Sequence, residues 1–198
     1  MDQKATLTFY EFQLIRPCKG KSVSGDITVT KPLDDGMLAV IVDVSGHGPE
    51  AYELAVKLKR EVLAWPDADL EGLMRRLDGA AHASRGAAAG LAHFRGDGTL
   101  LYVGVGNTRI QKFGAEKWKG VSKDGVLGSR MPSLRKDSVN LKEGEVVALF
   151  TDGLSERISE KDYPRLTLET PPMIANNLIK LFGKPYDDAS CIVIKCRA

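Results

Sequence analysis

The stretch "GMLAVIVDVSGHGPEA", residues 36–51, decides the fold of this chain. Residues 36–44 form a nearly continuous apolar run, which predicts a β-strand buried on both faces. Asp43 stands at the end of that strand, before a loop of glycine, serine and histidine. Pro49 and Glu50 then suit the first turn of a helix, because proline fits its first position and an acid its positive end. The sequence thus places a carboxylate at the end of a buried strand, at a strand–loop–helix junction.

Three segments have the apolar periodicity of amphipathic helices. The first covers 49–64, directly after the loop. The second covers 69–78, where Asp69 is a candidate N-cap. The third, at 171–182, opens with two prolines. The Ala- and Gly-rich passage at 79–86 indicates neither a helix nor a strand.

Most of the remaining segments have the composition of strands. The predicted strands cover 5–15, 25–30, 36–44, 87–95, 100–107, 108–113, a strand pair within 138–153, and 189–196. We expect residues 87–113 to form a run of hairpins, and the strand pair to turn around Glu143-Gly144. Strands, two helices, strands, a helix and a last strand are typical of an α+β fold, in which helices pack outside antiparallel sheets.

Composition narrows the function classes. The chain has 198 residues and a net charge of +2, so we expect one domain over 1–198 without a separate sensor domain, and no nucleic-acid surface. The longest apolar runs are too short to cross a bilayer, and the N-terminus lacks the pattern of a signal peptide. Three cysteines without metal-site spacing are expected to be reduced. These features together predict a cytoplasmic protein.

Acidic residues stand where apolar strands meet loops. They are Asp26, Asp43, Asp152 and the pair Asp187-Asp188. Carboxylates brought close together repel one another unless a cation offsets their charge, and Mg²⁺ or Mn²⁺ prefers such oxygen ligands. Two such ions, about 3.5–4 Å apart, stabilise a phosphoryl group under in-line attack.

Each acidic motif also has a structural interpretation. Asp152-Gly153 alone is a common turn dipeptide, and Asp187-Asp188 alone is more often a solvated turn than a ligand pair. His47 alone is more often a loop histidine than a catalytic acid. A buried strand that ends on a bare acid is the stronger signal, because burial of a charge needs compensation. The catalytic interpretation therefore rests on the whole set of strand-end acids.

Four motifs carry a family resemblance. They are "SGD" at 24–26, "DVSGHG" at 43–48, "GEVVALFTDGLSE" at 144–156 and "DDAS" at 187–190. In this order they resemble the metal-dependent PPM (type-2C) protein serine/threonine phosphatases. The chain is most similar to the SpoIIE-like branch, and within it to the stand-alone RsbX-type stressosome phosphatases. The resemblance implies a four-layer α-β-β-α sandwich of two antiparallel sheets flanked by helices.

The resemblance also implies a site with two Mn²⁺ or Mg²⁺ ions. Asp43 would bridge both ions, and the carbonyl of Val44 would reach one of them. Asp26 would act mainly through bound water, while Asp152 and Asp187 would hold the second ion. Asp43 and Asp152 are the candidate catalytic residues.

The chain departs from the eukaryotic relatives at several positions. Those relatives have a histidine two residues after the bridging aspartate, where this chain has Ser45, and we assign no catalytic role to His47. Arg16 lies upstream of the first metal motif and is the candidate phosphate-binding residue. Residues 114–128 are the only segment free to form a flap beside the site, so we expect few substrate contacts there.

Several functional hypotheses follow. The first is hydrolysis of phosphoserine and phosphothreonine on stressosome STAS-domain proteins, as feedback control of a bacterial stress response. The second keeps this chemistry but takes a phosphorylated anti-anti-sigma factor as substrate, as RsbU-like phosphatases do. The third is a pseudo-phosphatase that binds phosphoproteins without hydrolysis, and the fourth is a phosphoesterase for small molecules. The protein is expected to be a monomer without membrane contact.

Overall fold

The computed structural model of the chain describes residues 6–198, which form four layers in the order helices, sheet, sheet, helix. The predicted first strand, 5–15, begins at a residue outside the described ones. The N-terminal stretch in which we expect no signal peptide also begins there. Of the helices in the described part of the chain, none is long and apolar enough to cross a membrane.

The described residues form eleven strands and three helices, joined by turns and loops. The strands are β1 (Thr8–Arg16), β2 (Asp26–Leu33), β3 (Gly36–Val44), β4 (Ala87–Arg95), β5 (Thr99–Val105), β6 (Arg109–Phe113), β7 (Trp118–Lys119), β8 (Ser122–Lys123), β9 (Lys136–Asn140), β10 (Val146–Phe150) and β11 (Ala189–Arg197). The helices are α1 (Pro49–Ala64), α2 (Leu70–Ala81) and α3 (Pro171–Phe182).

The strands form two sheets. The first sheet has the order β1-β11-β10-β6-β7. The second has the order β2-β3-β4-β5-β8, with β9 also paired to β5. Every pairing is antiparallel except the short one between β5 and β8. The predicted α+β fold and its α-β-β-α sandwich are confirmed.

Two expected strand pairings are wrong. β6 does not continue the hairpins formed by β4 and β5, because it pairs with β10 in the other sheet. The strands within 138–153 also lie in different sheets: β9 pairs with β5, and β10 pairs with β6 and β11. The alternation of apolar residues indicates which face of a strand is buried, but it does not specify the neighbouring strand. The chain crosses between sheets at both positions.

The helices begin and end close to their predicted limits. The loop before α1 ends at Gly48, whose φ of 83° suits glycine, and Pro49 opens the helix. The carboxylate of Asp69 caps α2 by accepting a hydrogen bond from the backbone N–H of Gly72 at 3.1 Å. α2 continues to Ala81, beyond the predicted end at residue 78, so it includes part of the passage that the sequence left unassigned.

Strand β3 confirms the prediction of burial on both faces. Its even-numbered residues Leu38, Val40 and Val42 pack toward α1 and α2, in a core between helices and sheet. Met37, Ala39 and Ile41 pack in the core between the two sheets. Because side chains alternate along a strand, Asp43 continues this second row. The strand therefore points its last carboxylate into the space between the sheets.

Candidate metal centre

The two sheets change from apolar to polar at one end of the sandwich. Asp26 and Asp43 are direct partners in the register of β2 and β3. In the other sheet, Thr151 follows the inter-sheet residues Val147 and Leu149 of β10 at the same two-residue spacing. Strand ends from both sheets thus meet at the polar end of a shared core, as predicted from the acids in the sequence.

Asp26 lies deepest in this polar end. Its side chain is buried, and its Oδ2 atom accepts a hydrogen bond of 2.8 Å from the hydroxyl of Thr151. The Thr151 Oγ1 atom also accepts a hydrogen bond of 3.1 Å from the backbone N–H of Ser190. These contacts join β2 to β10 and β11 across the gap between the sheets.

Asp188 has a structural place beside the site. Its Oδ1 accepts a hydrogen bond from the backbone N–H of Cys18, and its Oδ2 accepts one from the N–H of Gly25, both at 2.7 Å. The carboxylate therefore fixes the loop between β1 and β2 immediately before Asp26. Of the pair Asp187-Asp188, only Asp187 lines the cavity described below.

Asp152 is oriented by a residue that the sequence analysis did not select. Asn107 donates a hydrogen bond from Nδ2 to the Asp152 Oδ2 atom at 2.8 Å. The Lys184 ammonium group donates to the backbone carbonyl of Asp152 at 2.6 Å. Both the side chain and the backbone of Asp152 are thus held at the end of β10.

Arg16, the candidate phosphate-binding residue, contacts the backbone beside the site. Its guanidinium donates hydrogen bonds to the carbonyl oxygens of Lys184 and of Asp187, the latter at 3.2 Å. Arg16 does not line the cavity. In this arrangement it fixes the turn that carries Asp187, and its role toward phosphate stays a prediction.

A cavity of about 440 Å³ opens at this end of the sandwich. Asp43, Asp152 and Asp187 line it, together with Asn107 and Asp124. The remaining lining residues come from the loop after β3, the start of β4, the turn after β5 and the predicted flap segment. The cavity is therefore acidic, and its size suits a small phosphorylated group and hydrated ions.

The electrostatics of the acids show mutual repulsion. Burial, followed by repulsion from Asp26, Asp152 and Asp187, raises the pKa of Asp43 to about 9. Burial raises the pKa of Asp26 to about 7, although hydrogen bonds from Thr151 and Ser190 favour its charged form. The pKa of Asp187 is also raised, first by burial and then by Asp152. The surrounding residues therefore do not offset the charge that these carboxylates carry when they are ionised.

The donor set fits a hard divalent cation. Within residues 6–198, none of Asp26, Asp43, Asp152 and Asp187 forms an ion pair with a basic side chain. In the same range, no three acidic, histidine or cysteine side chains converge closely enough to form a finished coordination site. The carboxylate oxygens that line the cavity are the hard ligands that Mg²⁺ and Mn²⁺ prefer.

The loop after Asp43 brings other predicted residues to the site. The carbonyl oxygen of Val44 lies 3.3 Å from the position that a Cβ on Gly25 would take, so the glycine leaves space beside it. Ser45 lines the cavity, whereas His47 is exposed and does not line it. This position is consistent with the prediction that His47 has no catalytic role.

Two cavity residues escaped the sequence analysis. Asn107 ends the stretch "YVGVGN" at 102–107, which also resembles the SpoIIE-like branch, and the apolar strand before it marks it as a strand-end residue. Asp124 lies in the flap segment 114–128, which also contributes Gly125 and Val126 to the cavity wall. The flap therefore takes more part in the wall than its short length predicted.

Comparisons with known proteins agree with this geometry. The family model described as "Stage II sporulation protein E (SpoIIE)" matches residues 33–197. The chain belongs to the SpoIIE family. It is a PPM-type protein phosphatase, as the order of its acidic motifs predicted. A relative in Bacillus subtilis (strain 168), phosphoserine phosphatase RsbX, is 25% identical over 140 residues, which are 69% of this chain and 70% of RsbX.

Solved structures of other SpoIIE and PPM phosphatases share the fold. A crystal structure of RsbX in complex with magnesium has a TM-score of 0.81 and 22% identity, and the match covers 96% of each chain. The catalytic domain of the serine/threonine phosphatase PstP in complex with two manganese ions has a TM-score of 0.76 and 17% identity, over 98% of this chain and 100% of the other. Both likenesses concern the fold.

Proposed function

We propose that this SpoIIE-family protein is a phosphatase with two divalent cations that hydrolyses phosphoserine and phosphothreonine on STAS-domain proteins of a stressosome. Its proposed role is feedback control of a bacterial stress response, as a cytoplasmic monomer. The observation that carries the catalytic part is the unneutralised acidic cavity around Asp43, Asp152 and Asp187. Partly buried carboxylates that repel one another in a cleft are typical of a functional site, here one that a divalent cation would neutralise.

The proposed ligands of the ions are the predicted ones. Asp43, Asp152 and Asp187 would hold the ions through their carboxylates, and the Val44 carbonyl would add a backbone oxygen ligand. Asp26 would act through bound water, and its burial and its hydrogen bond with Thr151 support this indirect role. When bound, Mn²⁺ or Mg²⁺ ions polarise the phosphoryl group and make water a stronger nucleophile at neutral pH.

The chain's own residues orient the reacting groups. Asn107 holds one carboxylate oxygen of Asp152, which fixes the direction of the other oxygen. Thr151 holds Asp26 beside Asp43 and prevents the buried carboxylate from rotating. The loop around Ser45 and the flap segment wall the cavity, so that a phosphoryl group enters from one side.

The likeness to RsbX supports the proposed substrate. Bacillus subtilis RsbX is a phosphoserine phosphatase, and the two chains align over most of their lengths. A phosphorylated seryl or threonyl side chain is also small enough for the cavity. A phosphorylated anti-anti-sigma factor is the second candidate, because it presents the same phosphoseryl group on a STAS domain.

One experiment compares the candidate substrates directly. The purified protein is incubated with Mn²⁺ and either phosphorylated stressosome scaffold or phosphorylated anti-anti-sigma factor, and phosphate release is measured. We expect faster release from the scaffold, and none when EDTA is present. Faster release from the anti-anti-sigma factor would favour the second candidate, whereas phosphate release from neither would contradict both.

A further inference from the structure

An arginine outside the predicted site lies against the glycine loop that forms part of the cavity wall. The Nη1 atom of Arg85 is 2.9 Å from the position that a Cβ on Gly46 would occupy. Gly46 lines the cavity and has a φ of 86°, so its lack of a side chain leaves room for the guanidinium. Arg85 thus lies directly against the loop that follows Asp43.

The loop that carries Arg85 is tied to the cavity wall. Its backbone is strained at Ala83, whose φ of 56° is uncommon for a residue other than glycine. The Ser84 hydroxyl donates to the carbonyl of Ala81 at 2.5 Å and accepts from the N–H of Gly86 at 3.2 Å. The N–H of Ser45 donates to the Gly86 carbonyl at 3.0 Å. The position of Arg85 is therefore coupled to the cavity loop.

The basic side chains near the cavity differ in the groups that they contact. Lys184 donates to the carbonyl of Asp152, and Arg16 donates to carbonyls of the turn before β11. Arg85 instead pairs through Nη2 with Glu50 at 2.9 Å, and the Glu50 side chain is 83% exposed. Such a solvent-exposed pair contributes little stability, so a phosphate dianion competes with it effectively.

We propose that Arg85 binds the phosphoryl group of the substrate at the mouth of the cavity, and that it exchanges Glu50 for phosphoryl oxygens. This inference rests on the proposed function, since it identifies a substrate contact of the same site. Guanidinium groups bind phosphate through paired, charge-assisted hydrogen bonds, which suits a planar donor beside an acidic pocket. Arg85 does not itself line the cavity, but its guanidinium brings positive charge against Gly46 at the edge of an acidic wall.

The test compares Arg85→Ala with Arg75→Ala. Arg75 is an exposed arginine on α2 that pairs with Glu71 at 3.2 Å, so its removal causes the same change in net charge away from the cavity. For each variant, the KM is measured in Mn²⁺ with p-nitrophenyl phosphate and with a phosphoserine peptide. Binding of inorganic phosphate to the Mg²⁺-loaded protein is measured by calorimetry.

We expect Arg85→Ala to raise both KM values and the Kd for inorganic phosphate about tenfold to a hundredfold, as loss of a charged hydrogen bond does. Arg85→Lys should recover part of the phosphate affinity, because it restores the positive charge but not the planar pair of guanidinium N–H donors. Arg75→Ala should match the wild type. Unchanged phosphate affinity in Arg85→Ala would overturn the proposal, and so would a KM that rises for the peptide alone.

The phosphate measurement separates this proposal from the proposed function. If the wild type hydrolyses neither substrate, the catalytic proposal fails, but calorimetry still tests Arg85. In that case, weaker phosphate binding by Arg85→Ala than by Arg75→Ala supports the assignment. Equal binding by the two variants, or no binding by the wild type, contradicts it.

Discussion

Asp26 and Asp43 are direct cross-strand partners at the ends of β2 and β3, and Asp26 is only 3% exposed. Like charges that face each other across an antiparallel pair destabilise the sheet. The protein keeps both acids at a place where burial, and then repulsion from neighbouring carboxylates, raises their pKa values. The arrangement is unfavourable for folding alone, and a bound cation would remove the conflict.

The first prediction concerns the stability of the metal-free protein. Asp26 and Asp43 have pKa values raised to about 7 and about 9, so the folded state binds more protons than the unfolded state between about pH 4 and 9. Their contribution to stability is complete below the unfolded pKa and is lost as the pH rises through the folded pKa. In EDTA, we expect the Tm to fall on the order of 5 °C between pH 5.5 and 8.5.

Asp43→Asn is the control for this pH dependence. The variant removes the group with the larger shift, so its Tm in EDTA should fall less over the same pH range than that of the wild type. Mn²⁺ should raise the wild-type Tm more at pH 8.5 than at pH 5.5, because protons compete with the cation. A wild-type Tm in EDTA that rises from pH 5.5 to 8.5 would contradict this account.

The second prediction concerns catalysis. Asp43→Asn and Asp152→Asn each remove one charge from the proposed ligand set while keeping the side-chain size. We expect hydrolysis of p-nitrophenyl phosphate to fall by a factor on the order of 10² to 10³ or more. Circular dichroism should show an unchanged fold. Full activity in either variant would remove that residue from the site.

The third prediction separates two adjacent acids. Asp188 accepts hydrogen bonds from the N–H groups of Cys18 and Gly25, so Asp188→Ala leaves both donors unpaired. We expect it to lower the free energy of unfolding by about 2–4 kcal/mol, measured by urea denaturation. Asp187→Ala should change stability in EDTA little but abolish hydrolysis. Equal effects of the two variants on stability and activity would contradict this division.

The fourth prediction concerns His47, which is exposed and does not line the cavity. We expect His47→Ala to keep its kcat within about threefold of the wild type, because loss of a general acid costs on the order of 10²-fold or more. The pH–rate profile should also keep its shape. A loss of several hundredfold would give His47 the role of a proton donor.

The sequence predicted the convergence of the acids for a physical reason. Period-two alternation fixed the inter-sheet face of β3, and an acid at the end of that row necessarily points into the gap. The same alternation could not tell that β6 pairs with β10, because pairing depends on contacts between distant segments. The fold class was therefore predictable, whereas part of the strand order was not.

The side-chain contacts across the site could not be predicted from the sequence either. Asn107 contacts Asp152 only because β5 and β10 end at the same edge of the sandwich. Arg85 lies in the passage 79–86, where alanine and glycine gave no periodic signal, yet the fold brings its guanidinium against Gly46. Local patterns identify the residues at strand ends, but tertiary packing decides which other residues join them.

The most direct test of the account is calorimetric titration of Mn²⁺ into the metal-free wild type and Asp43→Asn at pH 7.5. If the strand-end acids jointly bind divalent cations, the wild type should bind two ions per chain, and the variant should lose at least one of them. A wild type that binds no Mn²⁺ at millimolar concentration, or an Asp43→Asn variant with the same stoichiometry and affinity, would contradict it.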